Sequence, residues 1–303
     1  NFNTPSYSPI GINETREEYG LHDMIVDLNR IVKSTMSDKS EIYIYDLNSF
    51  ITKFGESNVF DYKQYFYGDV RISLDYIPYL AEELMGYVKA VLGLNKKCIV
   101  LDLDNTLWGG IVGEDGFEGI KLGDDPVGRA YAEFQHNLLA LNQRGILLAI
   151  NSKNNFDDAM QIIKEHPNMV LKEDNFTCIR INWNDKAVNM KEISDELNIG
   201  LDSMVFFDDD PVNREYVKSN LPEIQTIDIS DPSNSSKILK SINDFQMLKI
   251  TDEDMTRNKM YLEQRKRTEL KTQVGDLQDF LKQLNISVKI KNADSFTIPR
   301  ISQ

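Results

Sequence analysis

The chain has 303 residues, 41% of them hydrophobic, enough for about two domains with a sizeable core. Its formal net charge is −14, which argues against a nucleic-acid binder with a basic face. The two cysteines make no disulfide framework and suit a reducing cytoplasm, and no apolar run approaches the roughly 18 residues of a membrane span.

Residues 1–19 are polar, contain Pro5 and Pro9, and read as a loop. Leu21 to Val32 carries apolar residues at helical spacing. Ile42–Leu47 reads as a strand and Asp75–Leu92 as an amphipathic helix, so residues 1–96 form an N-terminal α/β segment too small to stand as a domain. From Lys97 strands and helices alternate. The run is strand Cys98–Leu103, a Gly-rich turn, a helix from near Pro126 to about Gln143, strand Ile146–Ile150 and helix Phe156–Lys164. Strand Phe176–Ile181, helix Lys186–Leu197, strand Ser203–Phe207, a helix from Pro211 and strand Ile224–Ile227 follow. Such alternation means βαβ units and a mostly parallel sheet with helices on both faces, over residues 97–248. A third segment, 249–303, opens with the capping pair Thr251 and Asp254 and a long charged helix to about Thr272. It continues with a second helix over Val274–Leu284 and a strand over Ile286–Ile290. The chain begins at Asn1 rather than Met and stops just after strand-like residues, which reads as a piece of a longer protein with truncated flanks.

Four strand ends in the middle segment carry unusual polar groups. A buried strand should not end in two acids, yet Asp102 and Asp104 sit at the C-terminal end of Cys98–Leu103, with Thr106 two further on. Ser152, Lys153 and Asn154 follow the second strand. Asn182 to Lys186 follows the third, and Asp208-Asp209-Asp210-Pro211 the fourth. In an open parallel sheet, ligands bind at the carboxyl ends of the strands, so all four can converge. Two carboxylates there repel unless a cation or proton sits between them. The chemistry that suits them is a Mg²⁺ site in which one Asp attacks phosphorus and the other moves a proton. Each motif alone has a bland explanation: Asp-x-Asp as a turn, Asp208–Asp210 as a helix cap, Ser-Lys-Asn as a loop. Four in register at strand ends are a different matter.

Rival chemistries fit worse. Ser152 lacks the flanking glycines of a nucleophile elbow, and His22, His136 and His166 lie away from the strand ends. No Cys/His pair has the spacing of a zinc site.

Taken together, the four motifs resemble the haloacid dehalogenase (HAD) superfamily, and the expected fold is its Rossmannoid parallel sheet. The intervals after Thr106 and after Asn154 leave no room for a cap domain, so the fold is read as capless. The wording Asp-Leu-Asp-Asn-Thr-Leu-Trp-Gly-Gly, with Ile-Asn-Ser-Lys-Asn and Val-Phe-Phe-Asp-Asp, is similar to the FkbH-like branch, tightly from about Lys97 to Ile229. That resemblance implies Asp102 as nucleophile, Asp104 as acid and base, and Lys186 as the charge that neutralises the phosphoryl group. It implies a Mg²⁺ site from Asp102, the Asp104 carbonyl, Asp208 and Asp209. Thr106, Ser152, Lys153 and Asn154 would bind phosphate, Trp108, Gly109 and Gly110 would shape a flap over the substrate, and Arg214 would reach a distal phosphate or carboxylate or else make a surface salt bridge.

The family's role implies a glyceryl transferase/phosphatase of polyketide assembly. Its donor would be 1,3-bisphosphoglycerate and its acceptor the phosphopantetheine arm of an acyl carrier protein. Neither nucleic acid nor membrane is an expected partner. Arg265, Lys266 and Arg267 are candidate carrier contacts, or a solvated helix face. A plain phosphatase for a small ester and an idle docking module of a synthase remain as alternatives. The family's cysteine before the first motif matches Cys98, a candidate acyl-bearing thiol. It lies about 13 Å upstream of Asp102 along a buried strand, where a cysteine is more often an inert hydrophobe. The chain departs from the usual Asp-Asp-Asn-Pro of the fourth motif, with Asp210 adding charge near the metal. The N-terminal part resembles the end of a lipase-like (SGNH) fold, with Asp75 and no histidine near it, and the C-terminal part the start of an acetyltransferase-like domain.

Overall fold

A computed structural model describes residues 1–273, and the helix and strand expected over Val274–Leu284 and Ile286–Ile290 lie outside the described residues. Two compact units divide the chain: residues 1–95 with 243–248, and residues 96–242 with the described residues from 249 onward.

The first unit is built of helices. They are α1 (Leu21–Met36), α2 (Leu47–Phe54), α3 (Glu56–Val59), α4 (Tyr62–Gly68) and α5 (Ile77–Leu92). The strand expected over Ile42–Leu47 is not there. Asp46 caps α2 instead, its carboxylate accepting from Ser49 N at 3.2 Å and Ser49 Oγ at 2.6 Å. That cap draws Leu47 into the helix, because a side-chain acceptor at the N-cap satisfies an N–H that would otherwise go unpaired. Phe50, Ile51, Val59 and Phe60 form a small core, lined by Tyr45, Phe54, Ile72 and Tyr76. Gly86 lets residues 243–248 approach α5, since a Cβ there would stand 3.2 Å from Asn243 Cβ.

The second unit is a five-stranded sheet in the order β3-β2-β1-β4-β5. Its strands are β1 (Cys98–Leu101), β2 (Leu147–Ser152), β3 (Phe176–Ile181), β4 (Met204–Asp208) and β5 (Gln225–Asp228), all parallel. The intervening helices are α6 (Val112–Gly119), α7 (Gly128–Gln143), α8 (Phe156–Glu165), α9 (Lys186–Leu197), α10 (Pro211–Asn220), α11 (Pro232–Ser241) and α12 (Asp252–Gln273). Alternation along the buried strands sends Cys98, Val100, Met204 and Phe206 to the face covered by Met190, Ile193, Val217 and Leu221. Phe207 points the other way, its ring 6.0 Å from that of Phe134 on α7. Helices therefore cover both faces, as a sheet apolar on both sides requires.

Register builds the site. Leu101 pairs with Ile150 on one side and Phe207 on the other. The next residues, Asp102, Asn151 and Asp208, share one level at the carboxyl edge. β1 stops two residues before the expected Leu103, because Leu103 O turns to accept from Thr106 N and Leu107 N. The expected Gly-rich flap contains α6, and no domain is inserted after β1 or β2: the fold is capless.

Candidate active site

Lys186 is the first residue of α9 and only 2% exposed. Its Nζ donates to Asp208 Oδ2 at 2.5 Å and stands 3.0 Å from Asp102 Oδ1. Burial by itself would lower the lysine's pKa, but the charges of Asp102 and Asp208 outweigh it and hold Lys186 above its ordinary value. Asp208, the last residue of β4, is wholly buried and pushed up to about 6 by burial and by Asp102, against the pull of Lys186. Asp209 is likewise pushed up to about 6, by burial and then by Asp102.

Carboxylate oxygens of Asp102, Asp208 and Asp209 all lie within 4.8 Å of one another. One ammonium cannot balance three carboxylates in so small a space. Asp102 Oδ1 and the Thr106 hydroxyl are buried with no hydrogen-bond partner, the lysine contact being an ion pair outside hydrogen-bond geometry. Clustered hard oxygens and excess negative charge fit a divalent cation of the Mg²⁺ kind.

Asp104 lies beside this cluster and its side chain is not part of it. Oδ1 accepts from Trp108 Nε1 at 2.9 Å and Val112 N at 3.2 Å, and Oδ2 accepts from Asn154 Nδ2 at 2.9 Å. Burial, and then the charge of Asp102, push its pKa up despite those three donors. Ser152, closing β2, is buried, and Lys153 after it is exposed. Gly110 takes φ +98°, and a Cβ on Gly109 would stand 2.8 Å from the Tyr131 ring, so the turn after Trp108 needs glycine at both places.

Several of the candidate residues hold partners within the chain. Trp108 has no exposed surface, and its N–H serves Asp104. Asn154 also serves Asp104. The Arg214 guanidinium donates to Asp208 O at 2.8 Å and pairs with Asp228 at 2.9 Å, which ties the ends of β4 and β5 together. Asp210 caps α10, accepting from Val212 N at 2.9 Å, a role the family's asparagine would fill equally. Arg265 donates to Phe176 O at 3.0 Å, and Lys266 lies 3.6 Å from Asp174, so both are engaged at the start of β3. Cys98 does not join the site. It opens β1 at the end away from Asp102, has no exposed surface, and burial pushes its thiol far above the ordinary range.

Sequence reasoning missed one network. Asn189, a buried asparagine one turn into α9, donates to Asn151 Oδ1 and to Asn182 Oδ1, each at 3.0 Å. Asn151 in turn donates to Lys186 O at 2.9 Å. The signal was an asparagine on an otherwise apolar helix face beside Ala187, Met190 and Ile193.

Residues 18–89 match the family model described as FkbH, N-terminal domain. The N-terminal part of BF1531 from Bacteroides fragilis, which contains a phosphatase domain and was crystallised with Mg, superposes with a TM-score of 0.76 at 34% identity. That match covers 82% of this chain and 67% of the BF1531 chain. An uncharacterized protein from Corynebacterium glutamicum is similar only at a TM-score of 0.34 and 12% identity, over 49% of this chain and 94% of its own. No curated protein matches. The five-stranded parallel sheet, with paired acids after β1 and β4 and a lysine after β3, is a HAD phosphatase fold. The chain belongs to the FkbH-like proteins of that superfamily.

Among the described residues, no helix is long and apolar enough to cross a membrane.

Proposed function

We propose that the chain is a Mg²⁺-dependent phosphatase and glyceryl transferase, in which Asp102, Asp208 and Asp209 hold the metal beside Lys186. The observation that carries it is the Asp102–Lys186–Asp208 contact at the carboxyl edge of β1 and β4. When bound, Mg²⁺ supplies charge that offsets the phosphoryl oxygens. Asp102 attacks phosphorus; the bond from phosphorus to the leaving oxygen breaks, and that oxygen takes a proton from Asp104. Asp104 then takes a proton from water, the water oxygen bonds to phosphorus, and the Asp102–phosphorus bond breaks. Lys186 stabilises the charge in both steps.

For the transfer, the donor is 1,3-bisphosphoglycerate and the acceptor the phosphopantetheine thiol of an acyl carrier protein. The thiolate attacks the acyl carbon, the C1–O bond breaks and phosphate leaves. The remaining phosphate is then removed at Asp102. Family membership and the capless site, which a carrier-borne arm can enter, support this reading. So does the burial of both cysteines, which leaves the thiol to the partner. Intact-protein mass spectrometry tests it: a phosphopantetheinylated carrier is incubated with the chain, Mg²⁺ and 1,3-bisphosphoglycerate. A glyceryl adduct is expected, and with Asp102→Asn a phosphoglyceryl adduct whose dephosphorylation is slower by about a thousandfold or more. Phosphate release without an adduct leaves a phosphatase for a small ester.

A further inference from the structure

The two oxygens of Asp104 are taken up by donors from two separate loops. Trp108 is wholly buried, and a buried indole N–H needs a partner; the partner is Asp104 Oδ1. Val112 opens α6, so its N–H is one the helix itself leaves unpaired, and it too reaches Oδ1. Asn154, buried after β2, gives its amide N–H to Oδ2 while its own Oδ1 accepts from Asn155 N at 2.9 Å. A carboxylate oxygen offers about two acceptor positions. Oδ1 has both filled, and Oδ2 has one left.

We infer that Trp108 and Asn154 are positioning residues, which lock the Asp104 carboxylate so that Oδ2 is the oxygen that exchanges the proton with the leaving group. Neither touches the substrate. The inference rests on the reading of Asp104 as the group that protonates the leaving oxygen. In that step the Asp102–phosphorus bond forms, the bond to the leaving oxygen breaks, and the proton passes from Oδ2 to that oxygen.

A leaving group that departs without a proton needs this arrangement least. Steady-state rates of the full chain with Mg²⁺ are therefore measured on a primary alkyl phosphate and on p-nitrophenyl phosphate, for wild type, Trp108→Phe, Asn154→Leu and Asp104→Asn. Trp108→Phe keeps the ring and removes the donor; Asn154→Leu keeps the size and removes the amide. General acid catalysis is worth about 10² to 10⁴-fold, so each of these two variants should lose at least about tenfold more kcat/KM on the alkyl ester than on the aryl ester. The ratio kcat/KM is the readout because it reports the step in which the leaving group departs, whereas hydrolysis of the aspartyl-phosphate is common to both esters and enters kcat alone. Asp104→Asn should show the same preference more strongly. Equal losses on both esters, or none, in Trp108→Phe and Asn154→Leu overturn the inference if Asp104→Asn does discriminate. Equal losses in Asp104→Asn, or a wild type that cleaves neither ester, overturn the reading of Asp104 and the inference with it. Should one positioning variant fail to fold, as its circular dichroism would reveal, the other decides.

Discussion

Lys186 Nζ lies 2.5 Å from Asp208 Oδ2, a contact that joins the first turn of α9 to the last residue of β4. Both side chains are cut off from water, and the Asp102 and Asp209 carboxylates crowd the same space. Neither desolvation nor repulsion is met by the lysine alone, which is why Asp208 and Asp209 hold protons to about pH 6.

Stability should therefore depend on pH and metal together. Asp208 and Asp209 are raised above the ordinary carboxylate value, so the folded state keeps protons that the unfolded chain has already released. Their contribution is present below about pH 4 and is lost as pH rises toward about 6. A cation replaces those protons. Millimolar Mg²⁺ should raise Tm more at roughly pH 7 than at roughly pH 5, because at the lower pH protons compete for the same oxygens. Differential scanning fluorimetry at the two pH values checks it, and an equal gain at both would sink the assignment of these acids to the metal.

Asn189 should matter to both fold and rate. Replacing it with Ala leaves Asn151 Oδ1 without its donor, while Asn182 Oδ1 keeps the one from Asn184 N, and an unsatisfied buried polar group costs about 1–3 kcal/mol. The urea midpoint should fall accordingly. Phosphate release should fall too, since Asn151 also holds the Lys186 carbonyl. An unchanged rate would show that Lys186 is placed without the network.

Cys98 should be silent in catalysis. A thiol-labelling reagent should leave it unmodified in the native chain and modify it in urea, because it has no exposed surface. Cys98→Ala should keep phosphate release within about twofold while losing about 1–3 kcal/mol of stability, the ordinary range for core substitutions. A large loss of rate with intact stability would restore it as a chemical group.

Much of the second unit was legible because its pattern is repetitive. Short branched runs such as Cys-Ile-Val-Leu and Met-Val-Phe-Phe, each ending in acids, mark strands whose carboxyl ends meet in a parallel sheet. Asp102, Lys186 and Asp208 were found that way. The first unit was less legible. Ile42–Leu47 has the residue types of a strand, but Asp46 as a cap decides for a helix from Leu47, and a six-residue window does not separate the two.

The order of the four motifs, their places at strand ends and the acids that gather there were set by the sequence, because apolar runs fix the strands and the strands fix where polar residues emerge. The partners of those residues were decided by tertiary structure alone. Asn154 reaches Asp104 across 50 positions of chain and Asn189 reaches Asn151 across 38. The Trp108 and Arg214 donors are engaged within the chain, Arg214 in the salt bridge that was one of its two sequence readings. A hydrogen bond depends on distance and direction in space, and a linear pattern carries neither for side chains that meet only when β1, β2, β4 and α9 have packed.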